Sequence, residues 1–317
     1  MKRFAMTTMA LLVTLALAAV AFAEPRGFNE NQEGPTTSVL SNQVELYHYV
    51  PSGECFDAWT GGVKLRNAPG SPPTVGGTIT VPGLVAAGQA DAQLIWVVLG
   101  DSDPTLLPPV WTFNGAALAA IPIGPVTASP CWPQAFAFAY RAPVIVVPGT
   151  NTLAGFPDSG VPGAGFNTEG ATLVVLYSTS GVDKEIILTV GNDLVAGAGG
   201  SAELSLSPSQ TGTCDAGTGA ELVFIGADGQ PAPDEVLWNG VSLAGTDAFL
   251  GIDQGPGIGY WDTMEFGVAI GGANVAALTS TSDCINWVAT LLKVKCGGCN
   301  TVGTESGTWG GVKTIFR

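Results

Sequence analysis

"VWTFNG" at residues 110–115 returns as "VLWNG" at residues 236–240. Each copy sets Asn-Gly after an apolar run, and "AAL" or "VSL" follows. Asn-Gly supports positive φ at both central positions of a two-residue turn, and that turn matches the twist of a β-hairpin. Each copy therefore predicts a tight hairpin, with Trp111, Phe113 and Trp238 near its tip or in a core. Packing is the expected role of these aromatics. The sharper alternative is a platform for sugar rings.

Further phrases recur in the same order. Ala92-Gln93-Leu94-Ile95-Trp96 matches Ala220-Glu221-Leu222-Val223-Phe224, upstream of the hairpins. Downstream, "AFAFAYRAPV" with "PGTNTLAG" corresponds to "WDTMEFGVAI" with "GGANVAAL", and "GATLVVLYS" to "NWVATLLKV". A period of about 125 residues is too long for a solenoid and suits two copies of a whole β-sandwich. "AFAFAY" alternates small and aromatic residues, as a strand with one aromatic face would. No window shows the sustained 3.6-residue period of a long helix, although "DAFLGID" is compatible with a short helical turn.

Composition agrees. Only 12% of residues are charged, while Gly numbers 44 and Pro 22 of 317, which disfavours helices and suits short strands joined by tight turns. The 46% apolar content is enough for real cores. We expect an all-β chain of two tandem jelly-roll-like sandwiches related by internal duplication. The expected divisions are a signal peptide (1–23), a flexible segment (24–42), a first sandwich (43–192), a Gly-rich linker (193–202), a second sandwich (203–295) and a tail (296–317).

Lys2 and Arg3, an apolar run and Ala21-Phe22-Ala23 before Glu24-Pro25 read as a secretory signal cut after Ala23. No later run is long enough to span a membrane as a helix. The net charge of −15 disfavours nucleic acid and anionic lipid as partners. A secreted or cell-surface location follows.

The phrases A-x-L-I/V-W/F, V-x-F/W-N-G, "GTNTL", "GATLVVLYS" and "KEIILTVGND" resemble the secreted bacterial and archaeal domain-of-unknown-function family 3344. The resemblance spans roughly residues 44–295 and is clearest from Gln93 to Asp193. It implies an exported or surface protein of jelly-roll-like sandwiches that are similar to galactose-binding domains. It carries no catalytic residue to this chain.

Six cysteines, Cys55, Cys131, Cys214, Cys284, Cys296 and Cys299, suggest disulfides in an exported chain. The preferred set is Cys55–Cys131, Cys214–Cys284 and Cys296–Cys299. Zinc at "CGGC" would need two more ligands, and the chain has one histidine and no second CxxC.

That histidine, His48, lies in a strand-like run, so a satisfied strand residue is expected rather than a catalytic base. Carboxylates in loops or at strand ends (Asp101, Asp103, Asp183, Glu185, Asp234, Glu235, Asp262) leave a hydrolase as a third reading. No cofactor is expected. Calcium is the alternative, at Asp101, Asp103, Asp228 and Asp234, in loops that correspond between the copies but do not fit an EF-hand. Trp59, Trp132 and Trp261 sit among Gly, Pro and polar residues and are the candidate sugar contacts. The tail "TWGGVKTIFR" (308–317) reads as a last strand, or as a sorting signal. The leading reading is a non-enzymatic exported structural or adhesive protein that contacts glycans or surface proteins or associates with itself. A carbohydrate-binding protein is second.

Overall fold

The computed structural model describes residues 41–50, 55–66, 74–102, 111–128, 136–159, 165–196, 200–209, 219–227, 233–245, 248–255, 260–280 and 284–298. In chain order the first elements are β1 (Val44–Tyr49), β2 (Phe56–Lys64), β3 (Thr74–Val81), α1 (Gly83–Ala87), β4 (Gln89–Gly100), β5 (Thr112–Phe113), β6 (Ala116–Ala117), β7 (Ile121–Ala128), β8 (Phe136–Pro143), β9 (Gly149–Pro157) and β10 (Asn167–Ser178). There follow β11 (Val182–Ala196), β12 (Gly200–Ser205), β13 (Gly219–Ala227), β14 (Asp234–Trp238), β15 (Val241–Ser242), β16 (Trp261–Ala269), β17 (Val275–Ser280) and β18 (Cys284–Gly298).

The chain is nearly all β, as composition predicts, and each half is wired as a jelly roll. In the first half an inner sheet runs β2-β10-β4-β8 and an outer sheet β3-β9-β5-β6. In the second, the inner sheet runs β11-β18-β13-β16 and the outer β12-β17-β14-β15. The first strand of each half pairs with its last, and the second with its last but one, which is the jelly-roll order. β7 extends the first inner sheet beyond β8, and β1 extends the second beyond β11. This identity is one of wiring; descent by duplication rests on the recurring phrases.

The halves meet through their inner sheets, so four sheets stack over three cores. One outer core holds Trp96, stacked on Tyr140 at 5.7 Å and edge-on to Trp111 at 5.3 Å. The other holds Phe224 stacked on Trp287 at 5.2 Å. The middle core joins Ile95, Val97 and Val174 of the first half to Ile186, Val223 and Leu291 of the second. This explains why "QLIWVVLG" is apolar without alternation. Leu94, Trp96 and Val98 fill the outer core, and Ile95, Val97 and Leu99 the middle one, as in any strand buried on both faces. β8 divides its residues as read from the sequence: Phe138 and Tyr140 face the outer core, Ala137 and Ala139 the middle one. β16 lies on β2 and β10, β18 on β4, and β11 on β7 and β8. Exchanging the halves maps the β16–β2 contact onto β8–β11, an arrangement like a two-fold dimer interface within one chain.

The hairpins are as predicted. Asn114 and Gly115 have φ of 51° and 77°, and Asn239 and Gly240 of 51° and 78°. Phe113 and Trp238 are buried, in packing roles. Each Asn also joins the next strand: the Asn114 N–H donates to Thr152 O and its Oδ1 accepts the Thr152 N–H, both at 2.8 Å. Asn239 exchanges the same two bonds with Val275, both at 2.8 Å.

The boundary differs from expectation. The halves divide between β10 and β11, because "KEIILTVGND" pairs with β18 and with β1, and with none of β2 to β10; β1, inside the expected first sandwich, thus joins the second inner sheet. The expected linker at 193–202 falls partly in β11 and β12. Asn192 and Asp193 sit at a bulge where both halves meet. The Asn192 amide donates to Pro125 O at 2.7 Å and Ala137 O at 3.0 Å, and Asp193 accepts from Asn42 N–H at 2.6 Å. "DAFLGID" has no helix among its described residues; the one described helix is α1, which was not anticipated.

Candidate functional site

The second inner sheet extends past the first at one end, and this leaves a shelf. On the face that elsewhere carries Ile186, Val223 and Leu291, the last rows carry Lys184 on β11, Lys293 and Lys295 on β18, Glu221 on β13 and Glu265 on β16. Lys184 is opposite Lys295, Lys293 opposite Glu221, and Glu221 opposite Gly267. Gly219 and Ala269 form the outermost pair. Side chains of β11 and β18 thus stand beside a floor of Gly219, Gly267 and Ala269, all exposed. The cleft between them has a volume of about 450 Å³, within the range of small-ligand sites.

Its charges are interlocked. Lys184 Nζ lies 3.0 Å from Asp57 Oδ1 and 2.8 Å from Glu221 Oε2. Lys293 Nζ lies 2.8 Å from Glu221 Oε2 and 2.7 Å from Glu265 Oε2. Burial works against the charge on Lys184, but hydrogen bonds to Glu221 and Asp57 outweigh it and hold the ammonium above its ordinary pKa. Burial would raise Glu221, yet the two lysines bring its pKa below the ordinary value. Among the described residues no carboxylate pairs with Lys295, which is exposed at the rim. None of these residues was singled out in the sequence. The available signal was "KVK" at 293–295, a cationic alternation in a chain poor in lysine.

The residues singled out lie elsewhere. His48 is in β1, as expected, with Nε2 2.6 Å from Glu185 Oε1. The same carboxylate accepts the Ser209 N–H at 2.6 Å and the Ser209 hydroxyl at 2.9 Å. These are the residue types of a nucleophilic triad in the wrong order: the carboxylate stands between serine and histidine, where a triad requires the imidazole. Asp183 accepts from the Phe56 N–H at 3.3 Å. Asp234 and Asp262 are fully buried and hold one loop. Asp234 Oδ1 accepts from Ala248 N–H at 2.6 Å, and Asp262 from Gly251 N–H at 2.9 Å and Ile252 N–H at 2.7 Å.

Of the calcium candidates, Asp101 is exposed and accepts from Gly165 N–H at 2.9 Å. Asp234 is buried and caps a loop, and Asp103 and Asp228 lie outside the described residues. Among the described residues no three His, Cys, Asp or Glu side chains converge as a metal site would need. Of the tryptophans, Trp261 is not a sugar platform. It is 0% exposed, and its indole N–H donates to Thr172 Oγ1 at 2.8 Å across the middle core. Trp59 is half-buried against the first outer core, and Trp132 lies outside the described residues. Cys55, Cys284 and Cys296 are disulfide-bonded, and no described cysteine is free. Cys131, Cys214 and Cys299 lie outside the described residues, as do the signal segment and the tail 308–317.

No family model matches the chain, and no curated protein does. Solved structures resemble it distantly. A beta-porphyranase of glycoside hydrolase family 86 from Bacteroides plebeius matches at 12% identity and a TM-score of 0.23, over 82% of this chain and 37% of that one. An uncharacterized protein from Listeria monocytogenes EGD-e matches at 12% identity and a TM-score of 0.22, over 80% and 22%. A peptide-N(4)-(N-acetyl-beta-D-glucosaminyl) asparagine amidase matches at 10% identity and a TM-score of 0.20, over 76% and 96%. The chain spans well under half of the first two, and likeness at this level carries no functional argument.

Proposed function

We propose that this chain is an exported, non-catalytic β-sandwich protein with a structural or adhesive role at the cell surface. The observation that supports this reading is the use made of its chemistry-bearing side chains. His48, Glu185, Asp193, Asp234 and Asp262 each bind backbone or a neighbouring side chain that closes the fold. Such groups are committed to structure rather than held at a cleft for a substrate. The signal peptide, and the resemblance to family 3344, belong to the same proposal. Fractionation of a secreting host that expresses the full chain tests it. The expected result is a protein cleaved after Ala23, recovered outside the cytoplasm and inactive on a panel of chromogenic glycosides and esters. Uncleaved cytoplasmic protein, or turnover that co-purifies with the chain, overturns it.

A second reading, glycan binding, is favoured by the shelf. A half-exposed carboxylate beside ammonium groups and a bare floor offers hydrogen bonds to hydroxyls, and no serine, threonine, cysteine or histidine is among the lining residues.

A further inference from the structure

We propose that the shelf binds an acidic saccharide, with the ring on the floor of Gly219, Gly267 and Ala269 and its carboxylate at Lys295. The inference rests on the glycan-binding reading and specifies its ligand.

Three of the six lysines and arginines in the described residues, Lys184, Lys293 and Lys295, line this one cleft. The whole chain carries a net charge of −15, so among the described residues an anion has few other cationic places to dock. Lys184 and Lys293 are nearly buried and already share Glu221. They fix the Glu221 carboxylate, and do not themselves need a ligand. Lys295 differs: it is exposed and no described carboxylate pairs with it, so a ligand carboxylate gains an ion pair without displacing one.

The floor has its own logic. A saccharide ring needs open surface on which to lie. At Gly219 and Gly267 a Cβ would meet no atom of the described residues within 4 Å, and neither residue has positive φ. Among the described residues, neither packing nor backbone geometry therefore requires glycine there, and the absence of a side chain leaves room above the sheet. Glu221, at 39% exposure, lines that room, and Glu265, at 48%, stands two residues along β16 from Gly267 on the same face; both are acceptors for ring hydroxyls. Ammonium for the carboxylate and carboxylates for the hydroxyls describe a uronic acid better than a neutral sugar or a phosphate.

The same freedom at Gly267 supplies a clean test. Gly267→Leu fills the floor without strain, and Lys295→Glu reverses the rim charge; neither residue supports the core. Binding of tetragalacturonate and of a neutral galactotetraose to the full chain is measured by calorimetry at low salt, with thermal unfolding of each variant alongside. We expect tetragalacturonate to bind wild type at least tenfold better than galactotetraose, binding to weaken with salt, and both variants to lose at least tenfold at unchanged melting temperature. Equal affinity for the two sugars removes this inference and leaves glycan binding standing. Absence of binding to either sugar, or variants that bind as wild type does, overturns the site.

Discussion

Asn114 and Asn239 combine two properties that, besides asparagine, aspartate alone supplies together. Their backbones adopt φ of 51°, which asparagine tolerates better than other L-residues with a full side chain. Their side-chain carbonyls accept from the neighbouring strand. Asn239→Ala loses both and is expected to cost about 1–2 kcal/mol; Asn239→Gly, which keeps the turn, should cost less. Urea unfolding of the two variants checks the order. Asp253 is the opposite kind of residue, one whose role only the fold creates. It sits over Gly62, where a Cβ would collide with its carboxylate, and its Oδ2 is buried with no hydrogen bond among the described residues. Burial pushes its pKa up to about 7 from 3.8. Because the folded state holds the proton more tightly than the unfolded one, its contribution is most favourable below pH 3.8 and is lost as pH rises towards 7. Asp253→Asn should therefore be more stable than wild type at pH 8, by on the order of 1–3 kcal/mol, and nearly equal to it at pH 4. Chemical denaturation at the two values decides this. The asparagines were legible because a turn is local. Asp253 was not, because Gly62 lies far away in the sequence.

β1 is an edge strand, and its hold on β11 includes one titrating contact. Side-chain hydrogen bonding to Glu185 raises the pKa of His48 above 6.5 against the effect of partial burial. Burial would raise Glu185, but His48 and Ser209 together bring it below 4.5. A raised histidine stabilises fully below 6.5 and loses that contribution as pH climbs through its folded value. A lowered carboxylate stabilises fully above 4.5 and loses it as pH falls through its own. The contact is therefore complete between about 4.5 and 6.5. The stability difference between wild type and His48→Gln should peak in that window and shrink at pH 9, as followed by urea unfolding; a difference independent of pH would exclude the ion pair. Most strands were legible as elements from their β-branched runs and turns. The segment 193–202 was misread because its glycines resemble a linker, while Asn192 and Asp193 carry the bonds that bind it into the fold. Helix α1, five residues after Pro82, is too short to have a period.

At the scale of the molecule, two sandwiches were legible and their fusion was only implied, by strands apolar on both faces. Which strand faces which depends on long-range packing that no local phrase records. Trp261 is the residue that pins this packing. It lies against Gly170 of the other half, where a Cβ would have no room, and donates to Thr172. Trp261→Ala should cost about 3–5 kcal/mol. Calorimetry should show one transition for wild type and a broadened or split one for the variant. A single sharp transition in both, with equal enthalpy, would mean that the halves are not coupled through this face.

The order of the strands also sets a timetable. Each half closes by pairing its first strand with its last: β2 with β10, and β11 with β18. During synthesis the first half cannot shut until residue 178 has emerged. It then waits, with Ile95, Val97 and Val174 bare, for the cover that β18 completes at the far end of the chain. Such distant pairings fold slowly, and a half-made molecule with an open apolar face invites association with its neighbours. The nascent chain is thus most vulnerable midway, and a holding chaperone would have its work there.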